Sequence, residues 1–148
     1  MVAAAREIEN LIYRYAELLD DGELEAVADL FSTACIVAPD GSETRGREAV
    51  LAMYRNSTRI FPDTGNPATH HVTTNVQIEV DTDTATARSY FTVLQAQGDF
   101  ALQPIITGRY HDEFRFDGQR WSFSRREMYP RLFGELGRHL LFDADTIK

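Results

Sequence analysis

The sequence has 148 residues, of which 43% are hydrophobic and 26% charged, and this composition is typical of one globular domain spanning 1–148. A net charge of -8 argues against nucleic-acid binding, because that affinity rests on lysine and arginine neutralising phosphates. No apolar run forms a signal-peptide core or reaches the roughly 18 residues of a membrane span, so we expect a cytoplasmic protein that does not bind membranes.

The first part of the chain has a helical pattern. Residues 3–20 place apolar side chains at spacings of three and four, which is typical of an amphipathic helix. The Asp-Asp-Gly sequence at 20–22 predicts where this helix ends, because glycine suits a left-handed cap. Shorter elements are predicted after it, namely helices over 23–31 and 46–60 and a strand over 35–38.

The second part of the chain predicts a sheet. Turn residues separate the predicted long strands 68–80, 84–97, 105–116 and 120–129, and Asp117-Gly118 is a strong hairpin signal. Helices followed by a meander of antiparallel strands predict an α+β domain with the helices on one face of a curved sheet. The apolar tail after Pro130 is expected to pack on the domain or on a neighbouring subunit.

Two of the four histidines, His70 and His71, open the first long strand. The pKa of a histidine is roughly 6.5, so its side chain exchanges protons near neutral pH. A single alternation along the strand places His71 on the polar side, opposite the set Val72, Val76, Ile78 and Val80. The same alternation places Arg126 of the last strand opposite Trp121 and Phe123. These polar sides line a pocket or face water, and the sequence leaves both possibilities open.

Several stretches resemble the nuclear transport factor 2-like superfamily, namely YAELLDDGELEAVADLF (15–31) and GREAVLAMY (46–54). The stretches HHVTTN (70–75), YHDEF (110–114) and GQRWSFSRR (118–126) resemble its SnoaL-like branch, which holds scytalone dehydratase, bile acid 7α-dehydratase and hexachlorocyclohexane dehydrochlorinase. The resemblance covers nearly the whole chain. It implies a cone-shaped α+β barrel in which three N-terminal helices pack on a strongly curved, mixed and mostly antiparallel sheet around an apolar pocket.

The resemblance also implies catalytic residues. In the lyase members a histidine at the position of His71 acts as the base, and a carboxylate at the end of the first helix, here Asp20, orients it. Tyr15 and Arg126 also stand at positions that resemble active-site positions of these enzymes. Gln95 stands where scytalone dehydratase has a second histidine. Asp20 lies about 140° from Tyr15 around the helix, so it faces the pocket only if the helix ends there.

These residue types suit an elimination. A histidine oriented by an aspartate can remove a proton near neutral pH, while a phenol and a guanidinium can stabilise a developing anion. We therefore expect dehydration of a small cyclic or aromatic apolar substrate. The expected pocket residues are Tyr54, Phe61, Phe91, Gln95 and Tyr110. No metal-ligand spacing is present, so we expect neither a metal nor a cofactor.

Two alternatives remain open. The first is an isomerase or cyclase that acts on a polyketide- or steroid-like molecule in the same pocket. The second is a non-catalytic binding or assembly subunit, like the small subunit of ring-hydroxylating dioxygenases, which shares the cone but needs no dyad. In either case we expect a homo-oligomer, a dimer or a trimer, because the outer sheet face and the tail offer apolar surface.

Overall fold

The computed structural model describes residues 2–148. Within this part of the chain, α1 (Val2–Asp20), α2 (Leu24–Asp29) and α3 (Arg47–Ser57) are the α-helices. The longest, α1, buries an apolar stripe at spacings of three and four, as its sequence pattern predicts. None of these helices is long and apolar enough to cross a membrane.

Six strands form one mixed sheet. They are β1 (Cys35–Val37), β2 (Glu43–Arg45), β3 (Thr69–Asp81), β4 (Thr84–Gln97), β5 (Phe100–Phe116) and β6 (Trp121–Phe133). Their order across the sheet is β2-β1-β6-β5-β4-β3. The pair β1–β6 is parallel and every other neighbouring pair is antiparallel. The sheet is open, and its combination with three helices is the predicted cone-shaped α+β fold.

Short turns join the long strands where the sequence predicts them. Thr82, Gly98 and Gly118 each have positive φ, at 57°, 58° and 99° respectively. In the last turn the carboxylate of Asp117 accepts hydrogen bonds from the backbone N–H groups of Gln119 and Arg120, at 2.8 and 2.9 Å. These turns return each strand directly beside the previous one, which produces the meander β3-β4-β5-β6.

The core lies between the helices and the inner face of the sheet. It combines the apolar stripe of α1 with side chains of α2, α3 and β4–β6, and includes Ile8, Ile12, Val27, Phe31, Val50, Ile105, Phe114 and Phe123, all fully or almost fully buried. Tyrosines and one arginine lie in the same layer, so the inner face is not uniformly apolar. This mixed interior contains the candidate site.

The main differences between the observed elements and the sequence prediction are four. The strand β2 was not predicted, because its Glu-Thr-Arg sequence is polar and half exposed. The strand β5 begins at Phe100 rather than 105, although Pro104 lies within it at a register shift. The helix α3 ends at Ser57 rather than 60, and β6 continues through Pro130 to Phe133.

The remaining residues, 134–148, form the C-terminal segment, which packs on the domain. Leu136 is buried in the core and Leu140 packs against it. Backbone hydrogen bonds attach the segment at its start and in its middle, from Gly134 N to Ile105 O at 2.8 Å and from Leu141 N to Ser57 O at 3.0 Å. This location agrees with the first of the two places expected for the tail.

Candidate functional site

The end of α1 positions Asp20. Gly22 has φ of 76°, its N–H donates to Leu19 O at 3.1 Å, and Glu23 N donates to Leu18 O at 2.9 Å. This pair of hydrogen bonds is a Schellman motif, which ends the helix at Asp20. A Cβ atom at position 22 would also collide with the backbone of Gly65. The helix therefore ends early enough for Asp20 to turn towards the sheet.

The strand β3 directs His71 inward because of a β-bulge. Asn75 has φ of 56°, and the pairing with β4 shifts by one residue between Thr74 and Gln77. Before the bulge the inward residues are Thr69, His71 and Thr73, and after it they are Val76, Ile78 and Val80. A bulge inserts one unpaired residue and reverses the alternation beyond it. The predicted single alternation was therefore wrong, and Val72 is exposed on the outer face.

A second bulge acts in the same way on β6. The pairing with β5 shifts between Glu113 and Phe114, so that β6 has one extra residue at Ser124. Trp121, Phe123 and Arg126 all point inward as a result. The prediction that Arg126 faces away from the two aromatic residues was therefore wrong.

Asp20 and His71 are in direct contact. The His71 ring atom Nδ1 lies 2.5 Å from Asp20 Oδ1, and the backbone N–H of His71 donates to Asp20 Oδ2 at 2.8 Å. The hydroxyl of Thr69 donates to Asp20 Oδ1 at 2.9 Å. The two side chains are only 6% and 16% exposed, so bulk water competes little for these bonds. The second ring nitrogen of His71, Nε2, takes no part in the contact with Asp20.

The carboxylate of Asp20 stays ionised in this position. Burial by itself would raise the pKa of Asp20. The hydrogen bond and charge of the His71 ring, with the His71 amide and Thr69, outweigh burial and lower that pKa below its ordinary value. An ionised Asp20 favours the tautomer of His71 that carries its proton on Nδ1, which leaves Nε2 as the proton acceptor.

Three tyrosines form a second polar cluster inside the core. The hydroxyl oxygens of Tyr15 and Tyr54 lie 2.5 Å apart, and the rings of Tyr15 and Tyr110 meet edge to face at 5.9 Å. All three residues are at most 6% exposed. Tyr15 and Asp20 are five residues apart on α1, so their backbone positions are about 7.5 Å apart along the helix axis.

Arg126 and Asp112 form a fully buried ion pair beside the tyrosines. Arg126 Nε and Nη2 donate to the two carboxylate oxygens of Asp112, each at 2.8 Å. The guanidinium carbon lies 3.7 Å from the ring centroid of Tyr110 and 4.3 Å from that of Tyr15. The remaining nitrogen, Arg126 Nη1, is buried without a hydrogen-bond partner. An unpaired buried donor is costly unless a ligand completes it.

The pKa shifts in this cluster keep Tyr54 and Tyr110 neutral and Arg126 charged. Burial raises the pKa of Tyr54 and of Tyr110 well above the ordinary value, and interaction with Tyr15 adds to the effect. Burial would lower the pKa of Arg126, but the charge of Asp112 and its hydrogen bonds raise it above the usual range. The cluster therefore offers O–H and N–H donors and a fixed positive charge at neutral pH.

The other expected pocket residues lie in different surroundings. Phe91 stacks on Tyr110 with ring centroids 4.5 Å apart, and its ring lies over Gly108, where a Cβ would come within 2.5 Å of it. Gln95 is buried and its Nε2 donates to the backbone carbonyls of Pro67 and Arg138, each at 3.1 Å. Phe61 is half buried in the loop before β3 and lies outside the main core.

One residue near the dyad was not predicted. His139, from the C-terminal segment, is 8% exposed and its ring centroid lies 6.4 Å from that of His71. A single histidine in an apolar tail carries no motif, and only the return of the tail across β4 brings it to the site. Asp112 was also missed as the partner of Arg126, because the bulge on β6 sets their pairing.

The candidate site is enclosed. Five surface depressions have volumes between about 280 and 470 Å³, and none of these five is lined by Tyr15, Asp20 or His71. Within residues 2–148, no group of three or more histidine, cysteine, aspartate or glutamate side chains is placed to hold a metal ion.

Comparison with known proteins identifies the family. The sequence matches the SnoaL-like domain over residues 1–127, and the chain belongs to this family. Its fold is that of the nuclear transport factor 2-like superfamily, as the sequence predicts. A search of curated proteins gave no significant match.

Solved structures show the same fold. An NTF2-like protein with a cystatin-like fold from Novosphingobium aromaticivorans has a TM-score of 0.73 and 24% identity, with 86% of this chain and 81% of that chain covered. A proposed scytalone dehydratase from the same organism has a TM-score of 0.71 and 22% identity, with 90% and 87% covered. LinA has a TM-score of 0.71 and 20% identity, with 92% and 91% covered. At these identities the similarity establishes the fold alone.

Proposed function

We propose that this protein is a cofactor-independent lyase that dehydrates a small cyclic or aromatic apolar substrate. The observation that carries the proposal is the enclosed contact between His71 Nδ1 and Asp20 Oδ1 at 2.5 Å. It presents an oriented imidazole whose Nε2 is directed away from its carboxylate partner. The name of one structural neighbour, the proposed scytalone dehydratase, agrees with elimination chemistry.

In the proposed reaction His71 Nε2 removes a proton from a carbon next to an activating group. The electron pair of the C–H bond forms the new double bond, and the C–O bond to the departing hydroxyl breaks. That hydroxyl takes up the proton from the His71 imidazolium and leaves as water, so the products are an unsaturated compound and water, and His71 is again neutral. Asp20 holds the imidazolium that forms, because its carboxylate remains ionised beside Nδ1.

Tyr15 and Arg126 are proposed to stabilise negative charge on the substrate. The unpartnered Nη1 of Arg126 and the neutral phenols around it are fixed donors in a buried environment. Such donors stabilise a developing enolate more strongly than water does, since they need no reorganisation. Phe91, Tyr110 and Tyr54 are proposed to shape the apolar wall, and Phe61 to lie at its edge.

The test is a substrate screen with scytalone and γ-hexachlorocyclohexane as probes of dehydration and dehydrochlorination. We expect the wild type to convert a probe, His71→Ala to lose about 10²- to 10⁴-fold in kcat/KM, and Asp20→Asn to lose at least about tenfold. His111→Ala is the control, because this histidine is exposed on β5 and its ring contacts Tyr129 instead, with the centroids 4.9 Å apart. Turnover that survives both dyad changes would remove His71 as the base.

A non-catalytic assembly subunit is the second candidate. It is favoured by the close packing around Tyr15 and Arg126, which leaves the site enclosed. If neither probe is converted by the wild type, and neither raises its melting temperature, the assembly-subunit hypothesis replaces the lyase hypothesis. An isomerase or cyclase would instead convert a polyketide- or steroid-like probe without releasing water, and would still depend on His71.

A further inference from the structure

His139 lies beside the dyad but takes no part in it. Its ring is inclined at 66° to that of His71, with the centroids 6.4 Å apart. The residue is more than nine-tenths buried, yet its Nδ1 atom has no hydrogen-bond partner. Buried polar atoms are almost always paired, so an unpaired one in a fixed position needs an explanation.

The backbone around His139 is held firmly while its ring is left free. Its carbonyl accepts a hydrogen bond from Arg59 N at 2.8 Å, and its N–H donates to Leu136 O at 3.0 Å. The next residue, Leu140, forms a β-bridge with Thr58. These main-chain contacts fix the backbone of His139 and do not involve its Nδ1 atom.

Gln95, whose side chain contacts the residue before His139, has a second unpartnered atom. Its Nε2 donates to Pro67 O and to Arg138 O, the carbonyl directly before His139. Two carbonyl acceptors fix the orientation of this amide, because only its NH₂ group can donate to both. The other amide atom, Gln95 Oε1, is buried and unpaired. This oxygen can only accept hydrogen bonds.

We propose that His139 and Gln95 form a hydrogen-bonding subsite for a hydroxyl group of the substrate, next to the base His71. This inference rests on the proposed function for the identity of the base, but the binding of a hydroxyl group is separable from turnover. Gln95 Oε1 requires a group that carries a donor, and the imidazole can accept or donate. A hydroxyl group satisfies both, whereas a halogen satisfies neither.

The subsite is neutral. Burial lowers the pKa of His139 to about 4, and the charge of His71 lowers it further while Asp20 opposes the effect. The imidazole therefore binds the hydroxyl by a hydrogen bond and does not supply a proton to it. Loss of one such bond between neutral groups reduces affinity about fivefold to tenfold.

The first experiment measures binding. The probes are 1-tetralol, a small bicyclic alcohol, and tetralin, the same hydrocarbon without the hydroxyl group. We expect 1-tetralol to shift the His139 Nδ1 signal in ¹⁵N NMR, tetralin to leave it unchanged, and His139→Leu to bind 1-tetralol about fivefold to tenfold more weakly. His139→Asn is expected to recover part of the affinity, because its side-chain amide restores a polar group near the position of Nδ1.

The controls separate this inference from the proposed function. His139→Leu should melt at the same or a higher temperature, since it replaces an unpaired buried polar atom by an apolar group. His111→Leu should bind both probes like the wild type. Equal affinity of wild type and His139→Leu for 1-tetralol would overturn the subsite and leave the dyad untouched. Turnover unaffected by His71→Ala, with the affinity difference intact, would overturn the lyase and retain the subsite.

Discussion

Asp20 is held by more hydrogen bonds than its role as a helix end requires. Its carboxylate accepts from Thr69 Oγ1 and from both the ring and the amide of His71. The same three bonds attach the end of α1 to the first residues of β3. The residue that orients the proposed base therefore also contributes to folding stability.

Asp20→Asn is expected to lower the free energy of unfolding by about 1.5–3 kcal/mol at pH 7, because a charged acceptor is lost. The pKa of Asp20 is lower in the folded protein than its ordinary value of 3.8. The ionised carboxylate therefore contributes to the free energy of unfolding above pH 3.8, and this contribution is lost as the pH falls through the folded pKa. Urea unfolding at pH 7 and near pH 3 measures both effects. Asp21→Asn, the exposed neighbour, should change little.

His139 predicts a different pH dependence. Its pKa is lowered from 6.5 to about 4 by burial, so between these values the unfolded chain binds a proton that the folded protein does not. The free energy of unfolding should therefore fall by about 3 kcal/mol as the pH is lowered from 6.5 to 4. His139→Leu should lack this loss in urea unfolding, whereas His111→Leu should retain it. If the free energy of unfolding depends on pH in the same way for wild type and His139→Leu, the lowered pKa of His139 is contradicted.

At the scale of elements, the two bulges decide which residues reach the interior. Without the bulge at Asn75, His71 and Val76 would lie on opposite faces of β3. Without the bulge at Ser124, Arg126 would point away from Phe123. Each of the two strands therefore has a polar side chain of the candidate site and apolar core residues on the same face. A regular strand with the same sequence would place them on opposite faces.

Asn75→Val tests the bulge on β3. A β-branched residue at φ of 56° is strained, so we expect a loss of about 1–3 kcal/mol in the free energy of unfolding. Asn75→Gly should be tolerated, because glycine adopts this conformation freely. Thr74→Val, one residue earlier in regular strand geometry, is the matched control. Equal unfolding midpoints for the two valine variants would argue against strain at position 75.

Much of the fold follows from the sequence, and the reasons are local. The periodicity of α1, the Gly22 cap and the Asp117-Gly118 hairpin are all decided by neighbouring residues. The bulges are not, because the cost of an unpaired residue is offset by contacts across the sheet that no local pattern records. His139 was missed for the same reason, since its neighbour His71 is distant in sequence. The dyad was predicted only through the family resemblance, since spacing alone did not bring Asp20 to His71.

At the scale of the whole molecule, the outer sheet face is the place where the expected oligomer would form. Val72, Tyr90 and Leu132 are between 37% and 63% exposed there. A depression of about 410 Å³ lies between Tyr90 and Leu132, and Arg109 stacks on the Tyr90 ring at 5.0 Å. Apolar and aromatic residues beside an arginine are the composition of interface centres.

Leu132→Glu tests this expectation. We predict that the wild type is a dimer or a trimer in solution scattering at micromolar concentration, and that Leu132→Glu shifts it towards monomer, because a charge would be buried at the contact. Leu102→Glu is the control, since Leu102 is 71% exposed near the start of β5, outside this patch. A monomeric wild type would contradict the prediction.

The bulge at Asn75 has a consequence for protein engineering. It divides β3 into two segments whose side chains alternate in opposite phase. Thr69, His71 and Thr73 of the first segment face the candidate site, and Val76, Ile78 and Val80 of the second face the core. A mutant library at position 73 would sample new contacts to the proposed substrate without touching the apolar layer, whereas Thr69 is kept because its hydroxyl donates to Asp20. A library restricted to 76, 78 and 80 would vary thermal tolerance while leaving the chemistry in place. The conformation of one asparagine thus allows substrate selectivity and thermal stability to be varied at separate positions of a single strand.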